Sequence, residues 1–170
     1  MRYNTIIPND VANGEGVCVS LFVQGCPHHC PNCFNQETWD FNGGNLYNDS
    51  VKWDIIKMIS ANNVRRNFSI LGGEPLAPQN LKMVEEIVSA VRSAYPDIKI
   101  FLWTGYNFSE LDLTNSHIAN ILNDIDVVID GRYEESKKDL TLHLRGSSNQ
   151  NIWVKSLENK WEINNGKDNC

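Results

Sequence analysis

Four short runs of apolar residues, at positions 17–23, 68–71, 98–103 and 127–130, constrain the fold of this chain more than any other feature. Between them, apolar residues recur at helical spacing. Over 51–59, Val51, Ile55 and Ile59 share one face while Lys52 and Lys57 lie elsewhere. Over 81–95 the stripe runs Leu81, Val84, Val88, Val91 and Tyr95, and Pro96 stops it. A third, shorter helix is predicted over 116–122. Continuous apolar strands that alternate with amphipathic helices need crossover connections, which gives a parallel sheet covered by helices. Right-handed crossovers wind such a sheet in one direction. The expected fold is therefore α/β, an open or partial (β/α) barrel of mainly parallel strands. Ligands of such sheets sit at the carboxyl ends of the strands, so the chemistry should follow directly after each apolar run. Weaker strands are predicted near 140–144 and 152–154. Residues 156–170 are mostly polar apart from Leu157, Trp161 and Ile163. They read as a peripheral strand or mobile tail beyond a single domain of residues 1–155.

Composition narrows the function. With 41% hydrophobic residues among 170, the chain has enough apolar material for a core without covalent staples. Its formal net charge is -6, and no cluster of Lys and Arg stands out, which argues against direct nucleic-acid binding. The run at 17–23 is far too short to cross a bilayer, and no signal-peptide core follows Arg2. A cytoplasmic location is expected, where thiols stay reduced. Five cysteines, an odd number, then point to metal or catalysis rather than to disulfides.

Three of the five stand directly after the first apolar run, in Gln24-Gly25-Cys26-Pro27-His28-His29-Cys30-Pro31-Asn32-Cys33. The spacing Cys-x3-Cys-x2-Cys puts three soft thiolates in one tight loop, suited to an Fe–S cluster or to zinc. A [4Fe-4S] cluster normally takes four cysteines, so three local ligands leave one iron open to a substrate. The competing reading is a structural zinc site with His28 or His29 as fourth ligand. Zinc sites usually pair two cysteines with a second pair further on, and no second pair exists here, so the spacing favours the cluster. Cys18, inside the first run, reads as core packing, and neither it nor Cys170 is an obvious fourth ligand. His28 and His29 read as exposed loop residues.

Read more widely, Asn13-Gly14-Glu15-Gly16, the cysteine loop with Phe34-Asn35-Gln36-Glu37-Thr38-Trp39, and Asn42-Gly43-Gly44 resemble the N-terminal signature of radical S-adenosylmethionine (SAM) activases of glycyl-radical enzymes. Gly72-Gly73-Glu74-Pro75, after the second run, is similar to the Gly-Gly-Glu motif of that family. Arg145-Gly146-Ser147-Ser148-Asn149-Gln150 resembles a segment typical of the activating proteins of anaerobic ribonucleoside-triphosphate reductases. The likeness spans about residues 3–152 and carries with it a fold of the radical SAM type.

The resemblance implies a [4Fe-4S] cluster on Cys26, Cys30 and Cys33, with SAM chelating the open iron. Gly72, Gly73 and Glu74 are expected to hold the methionyl amine. Asp130, which closes the fourth run, is expected to contact the SAM ribose, with Arg132 near the active site; Thr104 is a candidate lining residue from its position directly after the third run, not from the resemblance. Many relatives carry an aromatic residue immediately before the third cysteine; here that position is Asn32, with Phe34 just beyond. The adenine contact falls either to Phe34 or to the backbone of Asn32. The implied reaction is reductive cleavage of SAM, followed by removal of a hydrogen atom from a glycine of the reductase large subunit. It requires an external low-potential electron donor and no catalytic acid–base pair. Three rival readings share the triplet: a small radical SAM enzyme acting on a free metabolite, a zinc-stabilised binding module, and an activase of formate-lyase-type enzymes, which the segment Arg145 to Gln150 disfavours.

Overall fold

The computed structural model describes residues 1–166. Its elements are β1 (Arg2–Asp10), β2 (Cys18–Val23), β3 (Asn45–Leu46), α1 (Asp49–Ile59), β4 (Asn67–Gly72), α2 (Leu81–Ala94), β5 (Ile100–Trp103), α3 (Ser116–Asp124), β6 (Val127–Asp130), β7 (Asn151–Lys155) and β8 (Trp161–Ile163). The eight strands form one open sheet in the order β3-β1-β2-β4-β5-β6-β7-β8. Its centre, β2-β4-β5-β6, is parallel, and α1, α2 and α3 are the three crossovers that join these strands. The flanks are antiparallel, with β1 and β3 on one side and β7 and β8 on the other.

Alternation along the central strands explains where the core and the site lie. Val19, Leu21 and Val23 of β2, Phe68 and Ile70 of β4, and Ile100 and Leu102 of β5 pack into one cluster with the buried faces of the helices. The intervening residues Phe22, Leu71 and Trp103 face the opposite side and line a cavity. All three helices therefore cover one face of the sheet, and the other face carries the cavity beside a smaller buried cluster of Phe101, Val127, Ile129 and Ile152. Each fully buried Leu, Ile or Val side chain contributes about 1.5–3 kcal/mol, so the larger cluster, on the helix side, carries more of the stability than the smaller one.

The helices follow their local signals. Asn48 caps α1 by accepting from the Val51 amide at 3.2 Å, and Asn115 caps α3 by accepting from His117 N at 3.0 Å. The stripe of α2 buries Leu81, Val84, Val88 and Val91 as its spacing predicts, and the helix ends just before Pro96.

Two expectations are corrected. The sheet is mixed rather than mainly parallel, because β1, β3, β7 and β8 add antiparallel pairs on both flanks. Residues 140–144 form no strand. They lie in a loop closed at its base by a bridge between Lys138 and Ser147, and Leu144 sits at φ 55°, outside strand geometry. Beyond residue 155, β8 pairs with β7 as a peripheral strand. The remainder of the expected tail, residues 167–170 with Cys170, lies outside the described residues.

Candidate cluster and nucleotide site

The carboxyl ends of β2, β4, β5 and β6 lie along one edge of the parallel sheet, and the loops that leave them line one cavity of about 630 Å³. Cys26, Cys30 and Cys33 come from the loop after β2. Gly72, Gly73 and Glu74 follow β4, Thr104 and Gly105 follow β5, and Gly131 and Arg132 follow β6. This is the arrangement expected of a ligand site on a parallel sheet.

The cysteine loop is anchored where it leaves and where it rejoins the fold. Gly25 N donates to Thr38 O at 2.7 Å, Cys26 N donates to Trp39 O at 3.1 Å, and Gln24 Nε2 donates to Glu37 O and Asp40 O. Asn80, at the start of α2, donates to Gln24 O at 3.0 Å and to Glu74 O at 2.9 Å, which ties the loops after β2 and β4 together. Among the described residues, no three His, Cys, Asp or Glu side chains converge on one ion-binding point. The three thiols instead border the same cavity, with Cys26 buried and Cys30 and Cys33 partly exposed. Burial pushes the Cys26 thiol up to about 11, against the pull of the His28 and His29 amides. Burial also raises Cys30, with the neighbouring Cys33 adding to the effect. The Asn35 amide donates to Cys33 Sγ at 3.4 Å. A donor set of three sulfurs on one loop, with backbone N–H groups aimed at all three, fits a cluster, whose negative charge such donors stabilise. Cys18 is fully buried at the other end of β2 and cannot join the set.

Glu74 is the most densely bonded side chain of the site. Its carboxylate is buried and accepts from Leu76 N (2.9 Å), Thr104 Oγ1 (2.8 Å) and Gly105 N (2.7 Å), and it pairs with His28 Nε2 at 2.8 Å. The glycines beside it permit close approach between chain segments: a Cβ on Gly73 would sit 2.5 Å from Gly25 O. They were expected to make room for a ligand. The close approach is to the β2 side of the protein, although both glycines also line the cavity.

His28 differs from its expected exposed position. Its side chain is only 4% exposed and lies edge-on to Tyr106, with ring centroids 4.6 Å apart. His29 is exposed and stacks on Trp39. Nothing in the sequence separates these adjacent histidines. The distinction arises from the loop backbone, which places His29 at φ 48° and turns it outward.

The remaining expected residues divide. Phe34 is 57% exposed, lines the cavity and packs against Tyr133. Asn32 sits at φ 57° in the turn before Cys33 and is exposed, outside the cavity lining. Arg132 borders the cavity from an exposed position. Asp130 is not brought to it. Its buried carboxylate accepts from Phe108 N, Asn151 N, Asn151 Nδ2 and Trp153 Nε1, which joins β6 to β7 and to the loop after β5. The segment 145–150 clamps the loop after β6: Gln150 Nε2 donates to Gly131 O and Asn149 Nδ2 to Arg132 O. Leu140, Leu142 and Leu144 were not predicted as site residues, yet all three line the cavity.

Residues 12–153 match the model of the 4Fe-4S single cluster domain family. Among curated proteins, the chain is 41% identical to the anaerobic ribonucleoside-triphosphate reductase-activating protein of Vibrio cholerae, over 89% of this chain and 97% of that protein. It is 36% identical to the protein of the same name from Escherichia coli K12, over 88% and 96% of the two chains. The corresponding protein of Enterobacteria phage T4 is 37% identical over 90% of this chain and 94% of its own length. Near-complete coverage at these identities, together with the three-cysteine loop on its sheet edge, places the chain in the family of anaerobic ribonucleoside-triphosphate reductase-activating proteins, built on a 4Fe-4S single cluster domain.

Proposed function

We propose that this chain activates an anaerobic ribonucleoside-triphosphate reductase, using a [4Fe-4S] cluster and SAM to generate a glycyl radical on the reductase. The observation that carries this reading is the meeting of Cys26, Cys30 and Cys33 with the Gly72-Gly73-Glu74 loop around one cavity at the carboxyl edge of the parallel strands. The names of relatives that span nearly the whole chain support it. The sheet and its three one-sided crossovers are consistent with a partial barrel of the radical SAM type formed by residues 1–155, with residues 156–166 peripheral.

The residues divide the work as follows. Cys26, Cys30 and Cys33, which border the cavity, would hold the cluster. Because the Glu74 carboxylate already takes up donors from three loops, the backbone of Gly72 and Gly73 is left to meet the methionyl amine. Phe34 and Arg132 would border the nucleoside end. When bound, the two cofactors supply one-electron chemistry, and the protein supplies orientation and exclusion of water and oxygen. The electron would come from an external low-potential donor. No described helix is long and apolar enough to cross a membrane, and the proposed setting is the cytoplasm.

Metal and sulfide analysis of protein purified without oxygen tests the reading. The expected result is about four iron and four sulfide per chain, with broad visible absorbance that a Cys30→Ser variant loses. One zinc and no sulfide would overturn it.

A further inference from the structure

Three loops converge on one imidazole. His28 stands midway between Cys26 and Cys30, and its Nε2 lies 2.8 Å from Oε2 of Glu74, on the loop after β4. The same ring meets the loop after β5 edge-on at Tyr106. Gly105 in that loop allows the approach, since a Cβ there would lie 2.4 Å from His28 Cδ2. Both side chains of the His28–Glu74 pair are almost fully buried, at 4% and 1% exposure.

This link differs in kind from the other ties of the loop. Gly25 and Cys26 are fixed by backbone hydrogen bonds to Thr38 and Trp39, and the Cys30–Cys33 turn closes on itself. Between those anchors the side chains of residues 27–32 reach other elements through the bond from His28 to Glu74 and through the Tyr133 backbone N–H at the Cys30 thiol, and of these the His28 bond is to a buried side chain. Glu74 is in turn held by Leu76 N, Thr104 Oγ1 and Gly105 N, so the imidazole is referenced to a rigid point. Fixing the middle of a short loop fixes the residues on either side, and here those are two of the three cysteines.

We propose that His28 is a positioning residue: through Glu74 it sets the height and tilt of the cysteine loop against the Gly72-Gly73 loop, and thereby the geometry in which SAM is received. The part assigned to His28 is exercised through Glu74, although both side chains also line the cavity, and Glu74 serves as the hub of the link rather than as the acceptor of the ammonium group. The inference rests on the proposed function for what the loop holds, and on geometry alone for the link itself. Partners that orient metal-site ligands in this way change metal affinity or activity by roughly 10- to 100-fold when removed.

The test compares full-length wild type with His28→Ala and with His28→Gln, whose amide N–H can still reach Glu74. In apoprotein, hydrogen exchange of residues 27–33 and of the Gly105 amide is expected to accelerate about tenfold or more in His28→Ala, with α2 unchanged and with recovery in His28→Gln. In reconstituted protein, His28→Ala is expected to retain near-normal iron and sulfide. Its KM for SAM should rise roughly tenfold while kcat falls less, again with recovery in His28→Gln. Wild-type exchange and KM in His28→Ala would overturn the proposal, as would a folded His28→Gln that behaves like alanine. If the alanine variant does not fold, His28→Asn, too short to reach Glu74, takes its place under the same criteria. A wild-type protein that assembles no iron and sulfide would instead sink the functional reading, and the exchange comparison on apoprotein would still decide the role of His28.

Discussion

Trp153 of β7 donates its indole N–H to Oδ2 of Asp130 at 2.9 Å, and the same oxygen accepts from the Phe108 amide at 2.7 Å. The other oxygen of Asp130 takes both nitrogens of Asn151. A carboxylate used in this way holds β6, β7 and the loop after β5 together. Asp130→Ala leaves several buried donors without a partner, at about 1–3 kcal/mol for each that water cannot reach. The expected outcome in denaturant melts is a loss of stability of that order, larger than for Asp130→Asn. The KM for SAM of the folded fraction should stay within a few-fold of wild type. A large KM effect without a stability effect would restore a ligand-binding role for this residue.

Gly73 tests the close approach between the loops after β2 and β4. An added Cβ would stand 2.5 Å from the carbonyl oxygen of Gly25, which is backbone and cannot swing aside. Gly73→Ala is expected to cost about 1–3 kcal/mol through overpacking and to displace the cysteine loop. Lower cluster occupancy after reconstitution, measured as iron per chain, checks the second effect.

The helix face should be separable from the cavity face. Asn115 caps α3 by accepting from the amides of His117 and Ile118, and α3 packs on the side of the sheet away from the cysteines. Asn115→Ala is expected to cost about 1 kcal/mol, or about 2–4 °C in Tm. Reductive cleavage of SAM should be unchanged below the melting transition.

Asp10 gives a pH signature. Burial acts to raise its pKa, but hydrogen bonds from the Asn13 side chain and from the Ala12 and Asn13 amides outweigh that and hold it below the ordinary 3.8. A depressed folded value means that the ionised form stabilises the fold above the unfolded value of 3.8, and that this contribution disappears as pH falls through the folded value. The stability difference between wild type and Asp10→Asn should therefore be constant above about pH 5 and shrink below pH 4 in equilibrium melts.

Much of this could be read from the residues, and the failures have physical causes. The central strands and all three helices follow from apolar periodicity, because each buries one face in the same core. The cysteine loop is legible because its spacing is local. β1 was missed: it is a flanking antiparallel strand with Pro8 and with exposed Thr5 and Ile7, so its pattern is diluted. The alternating leucines at 140, 142 and 144 read as a strand because their period is two, yet they line a cavity from a loop. His28 was legible only in three dimensions, since its partner Glu74 is 46 residues away and its neighbour His29 offers the same chemistry to a sequence reader.

Acting as proposed, this chain places a radical on a glycine of an anaerobic ribonucleoside-triphosphate reductase. The most direct test is electron paramagnetic resonance of the reductase after anaerobic incubation with reconstituted protein, SAM and a strong reductant. The expected result is an organic radical signal on the reductase whose splitting collapses when its glycines are deuterated at Cα, absent with Cys30→Ser protein. Reductive cleavage of SAM with no radical on the reductase would contradict it.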